Sequence, residues 1–123
     1  MKSRWITHKG WRIFITDLSG LGFDIATLQA ELAAVAQTVK AEPAGSMLAV
    51  TNVQGLRISP QTITLIKEAL ALTTPYIRKR AVIGLSPMQE KVLGLINAVT
   101  GRKPFTVFAN LEQAQDWLIK TQG

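Results

Sequence analysis

The chain opens on two β-rich runs and then changes to helical periodicity. In "RWITHKGWRIFITDL" the two runs break at Lys9-Gly10, and because glycine accepts a positive φ the break predicts an antiparallel hairpin. Beyond "SGLGFD", the residues Ile25, Leu28, Leu32, Val35 and Val39 recur at steps of three and four, which is one face of a helix. Pro43 and Gly45 end it. "SMLAVTNV" then reads as a buried strand, "SPQTITLIKEALAL" as a helix, "KRAVIGL" as a strand and "SPMQEKVLGLINAVTG" as a helix, and "PFTVFA" with "NLEQAQDWLIK" repeats the pattern. The order ββαβαβαβα predicts an α/β domain with a mixed five-stranded sheet. The N-terminal hairpin is antiparallel, and right-handed crossovers make the remaining strands parallel and carry four helices.

Several helices announce their starts. Ser59-Pro60 and Ser86-Pro87 each put a side-chain acceptor at the N-cap and a proline in the first turn, where a missing N–H costs nothing. Ser86 with Gln89, and Asn110 with Gln113, have capping-box spacing. Gly101, after "NAVT", reads as a C-terminal cap.

Composition narrows the function classes. A chain of 123 residues that is 47% hydrophobic makes one domain over 1–123, with a core that needs neither disulfide nor structural metal. Without cysteine there is no disulfide, thiolate nucleophile or zinc-thiolate site, which fits a reducing compartment. "MKSRWITHKG" lacks the apolar run of a signal peptide, and no apolar run approaches the roughly 20 residues of a membrane span. The expectation is a cytoplasmic protein. The net charge of +6 serves solubility before it implies a partner.

"KGWRIFITDLSGL", "LAVTNVQG", "PYIRKRAVIGLS", "TGRKPFTVF" and "EQAQDWL", in this order and spacing, resemble small standalone bacterial STAS-like proteins, related in fold to anti-anti-sigma factors and more distantly to CRAL-TRIO-type lipid-binding domains. The resemblance covers about Trp5 to Leu118. It implies a regulatory or ligand-sensing module. Anti-anti-sigma proteins are switched by phosphorylation in an Asp-Ser-x-Gly-like segment after the third strand. The equivalent "TNVQGLRIS" departs from that pattern: Asn52 and Gln54 stand where the acid and the hydroxyl are expected, with the hydroxyls of Thr51 and Ser59 nearby.

Catalysis needs groups that exchange protons or attack, held within mutual reach, and the chain offers no such constellation. Its one histidine, His8, sits beside the hairpin turn and reads as a solvent-facing strand residue. Asp17 ends the second strand, where open α/β sheets bind ligands, yet turn capping ahead of Ser19-Gly20 explains it as well. Gly20, Gly22, Gly55 and Gly84 follow neither a Walker nor a dinucleotide pattern. No loop supplies a metal ligand set, and no cofactor is implied. Trp5, Trp11, Trp117, Phe105 and Phe108 read as packing residues and not as a stacking platform, which argues against nucleic acid.

Two places remain for binding. The polar groups at the strand C-termini, Asp17, Thr51, Asn52, Gln54, Ser59 and Ser86, form an expected loop for a partner protein or small ligand. Arg78, Lys79 and Arg80 lie at the opposite end of their strand, since six residues span roughly 20 Å. Parallel strands share an entry edge, so Arg102 and Lys103 from "TGRKPF" are expected to join them in an anion-binding rim suited to an anionic or amphiphilic ligand or a peripheral anionic-membrane contact. The reading is a non-enzymatic regulatory or interaction module. The alternatives are a lipid or amphiphile binder and, last, a small enzyme acting at the strand C-termini. An exposed edge strand or the apolar "VLGLINAV" would permit a homodimer.

Overall fold

Lys9 and Gly10 both adopt positive φ, at 50° and 84°, which gives the hairpin a tight turn twisted to match its strands. The computed structural model describes residues 2–87, 89–91 and 106–120. Strand β1 (Arg4–His8) pairs antiparallel with β2 (Trp11–Asp17). Parallel pairing then adds β3 (Met47–Asn52), β4 (Ile77–Ile83) and β5 (Thr106–Phe108), so the sheet runs β1-β2-β3-β4-β5 in chain order. The mixed five-stranded sheet expected from the sequence is observed.

Helix α1 (Ile25–Lys40) starts at Asp24, whose carboxylate accepts from Thr27 N at 3.0 Å. Helix α2 (Pro60–Thr73) starts at Ser59, whose Oγ accepts from Thr62 N at 3.2 Å. Ser86 and Gln89 form the reciprocal capping box: Ser86 N donates to Gln89 Oε1 at 2.7 Å and Gln89 N to Ser86 Oγ at 3.2 Å. The helix they open is described only at Pro87 and 89–91; Gly101 and all of "VLGLINAV" lie outside the described residues. The C-terminal helix, Leu111–Ile119, begins at Asn110, which accepts from Gln113 N at 2.9 Å.

Like-handed crossovers between neighbouring parallel strands put α1 and α2 on one face of the sheet. The C-terminal helix covers the other, where Ala114 and Leu118 pack on Ile13, Leu48, Val50, Ala81 and Ile83. The two layers are not equally tight. The C-terminal helix brings its backbone close to β3 and β4, whereas α1 and α2 approach each other more closely than either approaches the sheet. The predicted stripe of α1 does face inward, with Leu28, Val35 and Val39 buried. No apolar side chain of α2 is fully buried; its buried residues are Thr62 and Thr73.

The aromatic residues divide. Trp5 packs edge-on against Phe14, with ring centroids 5.1 Å apart, and Trp117 lies 5.3 Å from Phe108. Trp11, expected to pack inside, is 43% exposed.

Candidate functional site

The three consecutive cations of β4 go to three places. Strand alternation sends neighbours to opposite faces, and a register shift between Met47 and Leu48 inserts one extra residue, Arg78, into β4. Arg78 is exposed at a groove shared with Trp11 and Arg12. Lys79 turns to the C-terminal helix, where Nζ donates to the carbonyls of Trp117 at 2.7 Å and Lys120 at 3.1 Å and sits 4.1 Å from the Trp117 ring centre. Arg80 turns the other way and is only 7% exposed. These three therefore do not share a rim, and Arg102 and Lys103 lie outside the described residues.

Arg80 enters a cavity of about 100 Å³ between the sheet and helices α1 and α2. Phe14, Ala49 and Val82 form its sheet wall, Leu32 and Val35 come from α1, and Ile63, Ile66 and Leu70 come from α2. The looser seating of these two helices leaves the space open. Register places Arg80 beside Ala49 and then Phe14, and the next inward row is Thr16, Thr51 and Val82. The small Ala49 side chain leaves room for the guanidinium.

The polar groups of the cavity differ in how well they are satisfied. Thr73 Oγ1 donates to Ala69 O at 2.8 Å and accepts from Arg80 Nη2 at 2.6 Å. Gln89 is committed on both sides of its amide, donating to Leu56 O at 2.5 Å and accepting from Ser86 N. The hydroxyls of Thr16 and Thr51 have no side-chain hydrogen bond among the described residues. Among the described residues Arg80 makes one bond for its five donors. All eight aspartates and glutamates of the sequence fall among the described residues, and none pairs with Arg80. Burial without a counter-charge lowers the pKa of Arg80 to about 10.

The strand C-terminal loops are knitted together instead. Leu18 N donates to Asn52 O at 2.9 Å, Gly20 N to Gln54 O at 2.8 Å and Val53 N to Ile83 O at 3.1 Å, so pairing continues past the strand ends. Asn52 Oδ1 accepts from Gln54 N at 3.1 Å, closing a turn against Gly84. Asp17 accepts from Ser19 N at 3.0 Å and from its hydroxyl at 2.5 Å, and pairs with Arg4 at 3.3 Å and Lys2 at 3.7 Å. Partial burial pushes the Asp17 pKa up, but the Ser19 bonds with Lys2 and Arg4 outweigh it and hold the carboxyl below its ordinary value. Ser59 and Ser86 cap their helices. Of the six loop residues expected to bind, Thr51 faces the cavity and the exposed Gln54 side chain faces outward.

His8 is not simply solvent-facing: Nε2 lies 2.9 Å from Asp116 Oδ1 on the C-terminal helix. Among the described residues no cluster of three or more His, Asp or Glu side chains could hold a metal. No helix among them is long and apolar enough to cross a membrane. Sequence reasoning missed Arg80 as a cavity residue, although a signal existed. Arg80 stands two positions before Val82 in a strand with neighbours on both sides, and such strands are buried on both faces.

No protein-family model matches the chain, and no curated protein matches it closely. The fold does have a solved counterpart. The crystal structure of an uncharacterized protein of the DUF3478 family with a SpoIIAA-like fold, from Shewanella loihica PV-4, matches with a TM-score of 0.62 at 16% identity, covering 94% of this chain and 91% of that one. The chain thus has a SpoIIAA-like, STAS-type fold. The likeness supports the STAS side of the sequence resemblance and is silent on the distant CRAL-TRIO side.

Proposed function

We propose that this STAS-type domain is a non-enzymatic binding module and that it holds a small, largely apolar ligand between the sheet and helices α1 and α2. The observation that carries this is the cavity, roofed by a helix none of whose apolar side chains is fully buried. Core helices bury apolar side chains completely, and a void inside a domain forfeits contacts that its lining would otherwise make. A ligand restores them. The non-enzymatic part draws support from the commitments of Asp17, His8, Ser59 and Ser86, each held by a structural partner. Native mass spectrometry of freshly purified protein tests the reading: a defined added mass, lost on denaturation, is expected. Protein that is free of added mass and takes up no apolar compound argues against it.

A partner-protein reading has one observation in its favour. Phe23, in the loop after β2 and beside the knitted strand ends, is 66% exposed, and a large exposed aromatic suits a contact. If the partner is a second copy, analytical ultracentrifugation finds a dimer that Phe23→Glu dissociates; a wild-type monomer at high concentration excludes that form of the reading.

A further inference from the structure

We propose that Arg80 is the counter-ion for a carboxylate, so that the cavity's ligand is a monoanionic amphiphile with its head at Arg80 and Thr51 and its tail along Leu32, Ile66 and Leu70. This rests on the cavity reading and adds the chemistry of the ligand. An arginine that is 7% exposed and has no aspartate or glutamate partner among the described residues is a charge whose compensation is missing, because buried charges are ordinarily paired. Its planar fork matches a carboxylate with two parallel hydrogen bonds. Among the described residues only Nη2 is engaged, by Thr73, which leaves the remaining donors for a ligand.

The surroundings select a monoanion with an apolar body. Arg80 is the one cation lining the cavity among the described residues, so one negative charge is neutralised and a phosphate dianion would carry excess charge into an apolar site. Thr16 and Thr51, in the next row of the sheet, offer two hydroxyls without side-chain partners to the second lone pairs of a carboxylate. Apart from Gln89, whose amide is already committed to Leu56 O and Ser86 N, the lining beyond that row is apolar. At about 100 Å³ the cavity holds a short chain, and a longer tail emerges along the α1–α2 seam.

The test uses octanoate, 1-octanol, octylamine and octyl phosphate, titrated into the full-length ¹⁵N-labelled protein after removal of any copurified ligand. Amide shifts of Ala49, Thr51 and Val82 are followed. Octanoate is expected to bind about tenfold or more tightly than 1-octanol, and octylamine not at all. In Arg80→Met the preference for octanoate over octanol vanishes while octanol binding persists, and Arg80→Lys keeps part of the preference. If octanol equals octanoate in the wild type, the cavity reading stands and the counter-ion inference falls, whether or not a variant folds. If octyl phosphate binds more tightly than octanoate, the monoanion assignment is overturned. If no compound moves the cavity amides, the cavity reading itself fails and takes the inference with it.

Discussion

Replacing Arg80 by Met should make the ligand-free protein more stable. A pKa held down at about 10, well below that of an ordinary arginine, corresponds to roughly 3 kcal/mol of unfavourable burial, at about 1.36 kcal/mol per pH unit. Met keeps most of the apolar stem but gives up the bond to Thr73, worth about 1 kcal/mol, while Thr73 retains Ala69 O as acceptor. The net expectation is a gain of about 2 kcal/mol, in the range found when buried ions give way to apolar side chains. With a urea m-value of about 1–3 kcal/mol per molar, the midpoint rises by about 1 M. The pH dependence has a definite sign. Arg80 holds its proton less firmly in the folded state than in the unfolded state, so the wild-type penalty is complete at neutral pH and is relieved as pH rises beyond about 10. The gap between variant and wild type therefore narrows there. Urea unfolding of both proteins at pH 7 and pH 10.5 measures it. A variant less stable than wild type by 1 kcal/mol or more, with m unchanged, would refute the view that Arg80 is held at a cost.

Three further outcomes are expected. Gly84→Ala should lower stability by more than about 2 kcal/mol in urea unfolding, since Gly84 has φ +84° and an added Cβ would lie 2.7 Å from Gln54 N and 2.8 Å from Asn52 Oδ1. Ser59→Ala removes the cap of α2 and should cost about 1 kcal/mol, with faster hydrogen exchange confined to the first turn of α2. Asp17→Asn should flatten the acid limb of the stability curve. The depressed carboxyl of Asp17 contributes stability that is complete above about pH 4 and is lost as pH falls through its folded value, so the two proteins converge at low pH.

The fold was legible because its signals are local. The Lys9-Gly10 turn, the α1 stripe from Ile25 to Val39 and the Ser59 and Ser86 caps each depend on residues a few positions apart, and each forms as the sequence predicts. The candidate site was legible only in part. The sequence points to Thr51 and to the cation run "RKR", but it presents Arg78, Lys79 and Arg80 as one cluster. Their separation depends on strand alternation and on one inserted residue opposite Met47 and Leu48, and a register shift belongs to two strands at once. The emptiness beneath α2 was invisible for a related reason. It reflects how closely two helices seat on a sheet, which no periodicity encodes. Likewise His8 gave no hint of Asp116, more than a hundred positions away.

The strand order β1-β2-β3-β4-β5 has a consequence for biosynthesis. Every strand pairs with the strand made just before it, so the sheet grows at one edge and nothing must later be threaded between strands already joined. A chain leaving the ribosome can close its hairpin first, then lay down β3 and β4 in turn, each on an edge that already exists. Each search spans only one crossover, which limits the loop-closure entropy at every step. Until the last helix emerges, however, the face bearing Leu48, Val50, Ala81 and Ile83 is bare. That interval, from the synthesis of β4 to the release of Leu111–Ile119, is when the nascent protein is most open to misassociation and when a chaperone has the most to hold.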